Sequence, residues 1–446
     1  MNTAPAELLR PLAAERLLRD DPELGELLRR ERHRQATTLS MIAASSVADP
    51  SVLACEGSVL MHTTTEGYPG ARFHAGCEVA DQVERLAIER ACAAFGARYA
   101  NVQPHSGTSA NQIVLFALLD AHDTILGMEL GAGGHLSHGS RASVTGKYFN
   151  ALSYGLDAHA RIDYEGARRL ALEHRPRLIV CGASAYPRTI DFARFRAIAD
   201  EAGALLLADI SHISGLVAAG EHPSPIDHAH ITTTSTYKQL FGPRGGLILM
   251  GRDHDSPAPN GQGTLAEALQ RAVFPFFQGT PHLNAIAAKA RALAWVATPE
   301  FGELARRITA SARSLASALG ARGYRLVGGG SDNHIVMVEL GGVSGLVAEG
   351  ALESCGIIVN KNLVPGDRRG SRVTSGLRFG TNTLALRGMG GAEMERCAGL
   401  VDRCLRAVHP LGDRAFTLED DVRDSIRDEV AQLCRDFPLP GYEADD

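Results

Sequence analysis

Lysine is scarce in this chain of 446 residues. Of its 45 basic residues only four are lysines, and they stand at positions 147, 238, 289 and 361. A general preference for arginine would explain the scarcity, which is therefore not itself a functional signal. It nevertheless leaves few candidates for any chemistry that needs a primary amine.

Long apolar runs, extreme charge and closely spaced cysteines are also missing. No stretch of about 18 apolar residues occurs, and the N-terminal segment carries charges within its apolar stripe, so neither a transmembrane helix nor a secretory signal is expected. The net charge of −6 gives no support to nucleic acid or a membrane surface as a partner. Eight scattered cysteines without a C-x-x-C pair are typical of reduced thiols, so we expect a cytoplasmic protein.

The segment GAGGHLSHG at 131–139 invites two interpretations that its residues do not support. It is similar to a dinucleotide-binding loop, but Leu136 stands where the third glycine should be. His135 and His138 could suggest a metal, yet no cysteine or carboxylate at ligand spacing accompanies them. We therefore predict no metal site.

Strongly apolar runs alternate with segments of helical spacing through the first two thirds of the chain. The runs cover 123–129, 177–182, 204–209 and 246–250. Strands that alternate with helices of about 10 to 15 residues indicate a mainly parallel sheet with helices on both faces. Because such strands are buried on both sides, they should be almost continuously apolar, as these are. The predicted fold class is α/β.

The length of the chain suggests two or three domains. After about residue 290 the pattern changes to long helical stretches, with strands predicted near 334–340 and 373–379. This change indicates a smaller α+β domain. We divide the chain into an N-terminal helical arm at 1–45, a large domain at 46–290 and a small C-terminal domain at 291–446.

The segment HSGTSANQ at 105–112 places small residues directly before a helical run. Free N–H groups at a helix N-terminus, beside the hydroxyls of Ser106 and Thr108 and the open backbone of Gly107, form a cradle that suits a phosphate group. An ordinary helix cap explains the same residues. This segment alone therefore does not decide the function.

Asp209 ends the apolar run ALLLAD, so it lies at the carboxyl edge of a predicted parallel strand. Ligands bind at this edge in open α/β sheets. A carboxylate buried there needs a cationic partner, because an unpaired buried charge is costly. A protonated ring nitrogen of a cofactor would serve, and so would an arginine. His212, three residues on, either faces the same ligand or is a structural histidine.

Lys238 follows a strand-like polar run and precedes a GPRGG turn, a place that suits an amine able to form an imine. Lys289 lies in a helical segment and is expected on a solvated face, while Lys147 and Lys361 are in predicted loops. A phosphate cradle, a strand-end aspartate and a downstream lysine together match the requirements of pyridoxal phosphate (PLP). Each feature is weak alone, and their order along one α/β domain is the signal.

Long strings of the sequence are similar to serine hydroxymethyltransferases, which are fold-type I PLP enzymes. The similarity runs from about residue 40 to 440 and is carried by EGYPGARFHAGCEVAD, YANVQPHSGTSAN, GGHLSHGS, GPRGGLIL and VTSGLRFGT. The resemblance implies a mainly parallel seven-stranded sheet with helices on both faces, a smaller C-terminal α+β domain, and PLP as the cofactor.

The resemblance also assigns cofactor contacts by position. Lys238 would form the imine with PLP, Asp209 would pair with the pyridine nitrogen, and His135 would stack on the ring. The other implied cofactor-binding residues are Ser106, Gly107 and Thr108 at the phosphate, Ser184 and His212 beside the 3-hydroxyl group, and Ser235, Gly279 and Thr280.

On the substrate side, Arg378 would grip the α-carboxylate through its bidentate fork. Glu66 would be the acid or base near the substrate hydroxyl group, with His74 as a second candidate base. The substrate site would also be lined by Thr64, Ala44 and Tyr237. In the family the loop of Glu66 comes from the neighbouring subunit, so the resemblance implies a homodimer with shared active sites, and leaves a tetramer open.

Several substrate-side positions depart from the family pattern. Ala44 stands where the family holds a serine, and Thr64 where it holds a tyrosine. Phe73 and His74 replace paired tyrosines. Tyr237 replaces a histidine, and Thr280 replaces a glycine. The cofactor-binding set survives while the surroundings of substrate and folate have changed. This split indicates altered specificity.

Three functions stay open on these residues. We favour a PLP-dependent enzyme that makes or breaks the Cα–Cβ bond of a β-hydroxy-α-amino acid through a glycine quinonoid, as a threonine-type aldolase or transaldolase joining glycine to an aldehyde. A folate-dependent serine hydroxymethyltransferase is the alternative, although the changed positions argue against tetrahydrofolate. The third is a non-catalytic PLP-binding homologue, and four retained residues argue against it: Lys238, Asp209, Arg378 and Glu66.

Overall fold

The computed structural model describes residues 15–442. Residues 15–20 are helical, and helix α1 follows at Pro22–Thr37. The Asp21 side chain accepts a hydrogen bond from the backbone N–H of Leu24 at 3.1 Å, and a proline occupies the first turn. Both features favour a helix start at this point. The part of the predicted arm at 1–14 lies outside the described residues.

In the described part of the chain, seven strands form the central sheet. They are β1 (Tyr99–Asn101), β2 (Thr124–Met128), β3 (Asn150–Tyr154), β4 (Leu178–Gly182), β5 (Leu205–Asp209), β6 (Ile231–Ser235) and β7 (Gly246–Met250). Their spatial order is β1-β7-β6-β5-β4-β2-β3. Strand β7 is antiparallel to both of its neighbours, and the other pairs are parallel. The predicted mainly parallel seven-stranded sheet is confirmed.

Helices cover both faces of this sheet. They are α2 (Pro50–Glu56), α3 (Glu78–Phe95), α4 (Gly107–Leu118), α5 (Val144–Tyr148), α6 (Tyr164–His174), α7 (Phe192–Ala202), α8 (Ser214–Ala218), α9 (Leu265–Arg271) and α10 (Leu283–Val296). Alternate residues of β4 enter two separate hydrophobic cores, Leu178 and Val180 with α4 and α9, and Ile179 and Cys181 with α3, α7 and α10. Burial on both faces explains why the central strands are almost continuously apolar.

Strands β1 and β3 were not predicted from the sequence. Both lie at the edges of the sheet, and β1 is only three residues long. Most residues of β3 are partly or fully exposed, so its sequence NALSY lacks the continuous apolar character of a central strand. The continuous apolar run that marks buried parallel strands is therefore absent where a strand has a neighbour on one side only.

A second sheet, antiparallel and four-stranded within residues 15–442, lies in the C-terminal part. Its strands are β8 (Arg325–Leu326), β9 (Ile335–Glu339), β10 (Asn360–Asn362) and β11 (Gly376–Gly380), in the order β8-β9-β11-β10. The helices here are α11 (Pro299–Ala321), α12 (Gly345–Ser354), α13 (Asn382–Leu386), α14 (Gly391–Ala407) and α15 (Asp420–Asp436). Short paired strands elsewhere are Leu39–Ser40 with Ile357–Ile358, Gly67–Tyr68 with Ala71–Arg72, and His409–Pro410 with Phe416–Thr417.

Helix α11 packs in one core of the large sheet and in the core of the small sheet. Its first half, including Phe301 and Ile308, packs in the core of the large sheet, and its second half, including Ala312 and Leu319, packs in the core of the small sheet. The predicted boundary at residue 290 falls inside α10, and the division of the chain into domains stays a prediction. Among residues 15–442, no helix combines the length and the apolar composition that crossing a membrane requires.

Candidate active site

A pocket lies at the carboxyl edge of the parallel strands. Asp209 is the last residue of β5, Ser235 is the last residue of β6, and Ser184 follows the end of β4. The N-terminus of α4 meets this edge, which is where open α/β sheets bind their ligands. The pocket is lined by Ser106, Gly107, Thr108, His135, Ala183, Ser184, Asp209, Ser211, Ser235, Tyr237 and Lys238. The structure therefore brings most of the predicted cofactor-binding residues together.

Asp209 is buried, and both of its carboxylate oxygens have partners. Oδ2 accepts a hydrogen bond from Asn111 Nδ2 at 2.7 Å and lies 3.0 Å from His138 Nε2, while Oδ1 accepts from the backbone N–H of Ser211 at 3.0 Å. Burial opposes ionisation, but the hydrogen bond and charge of His138 outweigh it and lower the pKa of Asp209 far below its usual range. The carboxylate is thus held ionised. Asn111 and His138 were not predicted, because nothing in their spacing from residue 209 indicates contact.

His135 lies in the pocket wall beside this carboxylate. Its ring Nδ1 accepts a hydrogen bond from the backbone N–H of Ser137 at 3.2 Å, which leaves Nε2 to carry the ring proton. Burial lowers the pKa of His135 to about 4. The ring is therefore neutral near pH 7 and can lie against a flat cofactor without repelling a cationic nitrogen.

The structure overturns one expectation about His135 and His138. No carboxylate stands near them along the chain, but in the fold Asp209 joins the pair, and one ligand atom from each of the three side chains lies within 4.8 Å of the others. These atoms already make protein hydrogen bonds, His138 Nε2 with Asp209 and His135 Nδ1 with Ser137. His138 contacts Asp209 directly, whereas His135 is linked to it through Ser137 Oγ, which lies 2.8 Å from His135 Nδ1 and accepts a hydrogen bond from Asn111 Nδ2 at 2.9 Å.

The N-terminus of α4 forms the predicted cradle. Ser106 is the N-cap residue, and its hydroxyl accepts a hydrogen bond from the backbone N–H of Ser109 at 3.0 Å, so the ordinary capping role is also present. A Cβ added to Gly107 would lie 3.0 Å from Ser211 Oγ and 3.2 Å from the backbone nitrogen of Ser235. A side chain here would crowd Ser211 and Ser235, and the bare backbone of glycine leaves the N–H groups of the first turn open to an anion.

Lys238 is the lysine that the fold places in the pocket. It is only 7% exposed, and burial lowers the pKa of its amine to about 8, although the negative charge of Asp209 opposes this shift. About a tenth of such an amine is unprotonated at pH 7. Imine formation needs the unprotonated amine, so the environment of Lys238 favours that chemistry.

The other lysines do not line the pocket. Lys147 is exposed on α5, and Lys361 Nζ donates to Glu349 Oε2 at 2.5 Å. Lys289 was expected on a solvated helix face, which is wrong, because its side chain is buried and its Nζ donates to three backbone carbonyls. Helix α10 is buried on most of its circumference, so a helical pattern does not show which face meets water.

Arg378 reaches the site from strand β11 of the small sheet. Its Nε donates to Asn360 Oδ1 at 3.0 Å, and its Nη1 donates to the carbonyl oxygen of Ser184. Burial lowers the pKa of Arg378 to about 10, which still leaves the guanidinium protonated at neutral pH. A fixed guanidinium beside the pocket can bind a carboxylate through two parallel hydrogen bonds.

Two buried histidines stack beside the pocket. The rings of His212 and His334 have centroids 5.7 Å apart and planes 17° apart. His334 Nε2 lies 3.1 Å from the carbonyl oxygen of Ala43, and burial lowers the pKa of both rings, that of His334 to about 3. Within the described chain His212 Nδ1 is buried without a hydrogen-bond partner, which is unusual in a folded protein. His334 was not predicted as part of the site.

Tyr237 forms another part of the pocket wall, and the segment around Ala44 contacts it through Ser46. The backbone carbonyl oxygen of Tyr237 accepts a hydrogen bond from Ser46 Oγ at 2.5 Å, and the guanidinium of Arg244 lies 3.9 Å from the centroid of its ring. Ala44 is on the same segment as Ser46, but among the described residues it does not line the pocket itself. The segment is fixed to the pocket through Tyr237.

Glu66 belongs to a second group of predicted site residues, which in the described chain does not line the pocket of Lys238. Glu66 Oε2 lies 3.4 Å from His74 Nε2, and Thr280 Oγ1 donates to Glu66 Oε1 at 3.4 Å. Gly279 lies beside them, since a Cβ on it would be 3.5 Å from Glu66 Oε1. Thr64 is exposed on the same loop as Glu66. That this group completes the site of a neighbouring subunit stays a prediction.

The pocket fits PLP on four structural features. The cradle at Gly107 can accept a phosphate, ionised Asp209 can hold the proton of a pyridine nitrogen, and Lys238 supplies a buried amine. The unpartnered Nδ1 of His212 can bond a polar substituent of the ring. The residues present therefore suit the cofactor.

A comparison with protein families agrees with this fit. The family model described as serine hydroxymethyltransferase matches residues 17–401, a span that includes both sheets and every residue that lines the pocket. Enzymes of that family use PLP and catalyse hydroxymethyltransferase-like reactions. On this match the chain belongs to the serine hydroxymethyltransferase family of fold-type I PLP enzymes.

Proposed function

We propose that the protein acts on the Cα–Cβ bond of a β-hydroxy-α-amino acid as a threonine-type aldolase or transaldolase that joins glycine to an aldehyde. The observation that carries the proposal is the pair of side chains in contact with Glu66. These are His74 and Thr280, and both stand where the sequence departs from the family pattern. Apart from Tyr237, the residues predicted to hold the cofactor in the pocket keep that pattern. We infer that the cofactor chemistry is retained while recognition of the second substrate has changed.

The residues of the pocket would bind and orient the amino acid. PLP, when bound, supplies a sink for the electrons of the bond that breaks at Cα. Arg378 would hold the substrate carboxylate and so set the direction of the Cα–Cβ bond, an effect of orientation. Asp209 would keep a proton on the pyridine nitrogen, and the neutral ring of His135 would lie against the cofactor. None of these tasks depends on the identity of the aldehyde.

Glu66 would move the proton that the reaction requires. In the cleavage direction its carboxylate takes the proton of the β-hydroxyl group while the Cα–Cβ bond breaks, and the aldehyde leaves. In the synthetic direction the same proton returns to the oxygen of the incoming aldehyde. His74 can share this proton, and the hydroxyl of Thr280 can orient the carboxylate, since each lies 3.4 Å from a different oxygen of Glu66.

We also propose a homodimer in which the Glu66 loop of one subunit completes the site of the other. Large apolar side chains are exposed on this part of the chain: Val59 is 70% exposed, Met61 63% and Phe73 73%. Exposed apolar groups of this kind support a protein interface. Assembly into a tetramer and the cytoplasmic location stay predictions.

Paired incubations with product analysis by mass test the reaction. One contains L-threonine with a panel of aldehydes, and the other contains L-serine with tetrahydrofolate. We expect β-hydroxy amino acids that carry the added aldehyde, formed without folate. Rapid serine turnover that strictly requires folate would overturn the proposal in favour of a serine hydroxymethyltransferase. No turnover and no absorbance change with glycine and any aldehyde would indicate a non-catalytic PLP-binding homologue.

A further inference from the structure

Lys289 is a buried amine that the proposed reaction does not use. It lies on α10 and is 2% exposed. Its Nζ donates hydrogen bonds to the carbonyl oxygens of Val102 at 2.6 Å, Pro104 at 3.1 Å and Gly246 at 3.1 Å. An ammonium group has three donors, and here all three are used. The acceptors are backbone oxygens, so the contact depends on the path of the chain and not on its side chains.

The three carbonyls belong to the two segments that support the phosphate cradle. Val102 and Pro104 lie on the short connection between β1 and Ser106, and Gly246 is the first residue of β7. The backbone N–H of Gly246 also donates to the Pro104 carbonyl at 2.9 Å. Lys289 therefore joins the connection that ends in the cradle to the strand beside it.

The backbone around this amine is packed without spare room. A Cβ on Gly245 would lie 2.3 Å from Lys289 Cε, and a Cβ on Gly246 would lie 2.4 Å from the carbonyl oxygen of Ser106. Gly246 therefore excludes a side chain, and a side chain at position 245 would displace the end of Lys289. The connection 102–105 leads into Ser106, the N-cap residue of α4, and Ser106 lies directly against β7. A shift of the connection relative to β7 would therefore move the cradle.

The charge of Lys289 also points to a function beyond filling space. Burying an ammonium group is costly, and an apolar side chain of the same length would avoid that cost. Burial lowers the pKa of Lys289 to about 7, while the charges of Glu84 and Glu56 oppose the shift. A positive charge behind the cradle would favour a dianionic phosphate in front of it.

We propose that Lys289 is a positioning residue for the cofactor phosphate. It fixes the connection 102–105, so that the N–H groups at the start of α4 are held ready for the phosphate, and its protonated form places a cation behind them. The proposal depends on PLP binding, which the family shares, and not on which aldehyde the enzyme uses. Failure of the proposed aldol specificity would leave it intact.

The test compares binding of PLP with binding of pyridoxal, which lacks the phosphate, to the apoenzyme. In Lys289→Met we expect PLP affinity to fall about tenfold or more and pyridoxal affinity to change less than about threefold. The ³¹P NMR signal of bound PLP should move toward that of free PLP. Lys147→Met, which removes an exposed lysine of α5, is the matched control and should change neither affinity.

A purely structural role would reduce the affinities for PLP and pyridoxal by the same factor, and that result would overturn the proposal. So would an unchanged affinity for PLP. If Lys289→Met fails to fold, Lys289→Gln supplies the second measurement, since its amide keeps two donors but loses the charge. We expect the same selective loss of PLP affinity in that variant, and an equal loss for both ligands would again refute the positioning role.

Discussion

The pocket around Lys238 and the group around Glu66 are built in different ways. In the pocket, Asp209 is buried and has three partners within 3.0 Å. At the second group, the side chain of Glu66 is 36% exposed and has two partners at 3.4 Å. The pocket is placed by strand ends and a helix terminus, whereas Glu66 is placed by loops. Cofactor binding is thus fixed by the rigid sheet, and the residues that would meet the second substrate are on segments that can vary without disturbing it.

The replacement Lys238→Ala should have the largest effect. It would remove the amine of the cofactor pocket and leave the group around Glu66 unchanged. We expect loss of the near-visible absorbance of the bound cofactor and a fall in activity of at least about a thousandfold, because Lys238 carries the one amine that residues 15–442 place in the pocket lining. Absorbance spectra and turnover assays measure the two effects. Lys147→Ala is the control and should match the wild type. An unchanged spectrum in Lys238→Ala would show that another lysine binds the cofactor.

The replacement Glu66→Gln changes the second region and leaves the cofactor pocket intact. We expect kcat to fall roughly 10²- to 10⁴-fold, because the amide cannot accept the proton of the β-hydroxyl group. The affinity for PLP should stay within about twofold of the wild type, because Glu66 is not among the described residues that line the cofactor pocket of its own chain. Equilibrium titration of the apoenzyme measures the affinity. A parallel loss of PLP binding would break the distinction between a cofactor region and a reaction region.

The replacement Arg378→Ala tests the contact that joins the small sheet to the pocket. We expect affinity for glycine to fall about a hundredfold, since a charged bidentate contact contributes a few kcal/mol. Binding of glycine, followed by its spectral change, is the measurement. Arg378→Lys should recover only part of the loss, because lysine lacks the planar fork. Unaltered affinity in the alanine variant would mean that another cation holds the carboxylate.

The replacement Thr280→Gly should have the smallest effect and sharpens the comparison. It restores the residue of the family pattern and removes the hydrogen bond to Glu66. We expect the ratio of threonine to serine turnover to fall about threefold, in line with the loss of one long hydrogen bond. Thr280→Ser keeps the hydroxyl group and should behave as the wild type. If Thr280→Gly leaves the ratio unchanged, as Thr280→Ser should, this side chain has no part in specificity.

Much of the pocket could be predicted because its residues stand at the ends of recognisable elements. Asp209 follows a continuously apolar strand, and Ser106 precedes a helical run, so both could be placed at the sheet edge. His138 and Asn111 could not, because their contacts with Asp209 join positions 71 and 98 residues apart. Lys289 was wrongly assigned to a solvated face for a related reason. Helical spacing shows which residues share a face, but not what covers that face.

The sequence by itself determined the α/β class, the order of the central strands along the chain and the family, and it predicted which lysine would form an imine. These follow from local patterns, since apolar periodicity, capping residues and motif strings are each contained in a short stretch of chain. Tertiary structure alone decided that Asp209 is oriented by His138, that His212 stacks on His334, and that Lys289 supports the cradle. Such contacts depend on how distant segments pack, and a protonation state depends on burial and on neighbouring charges that only the folded chain brings together.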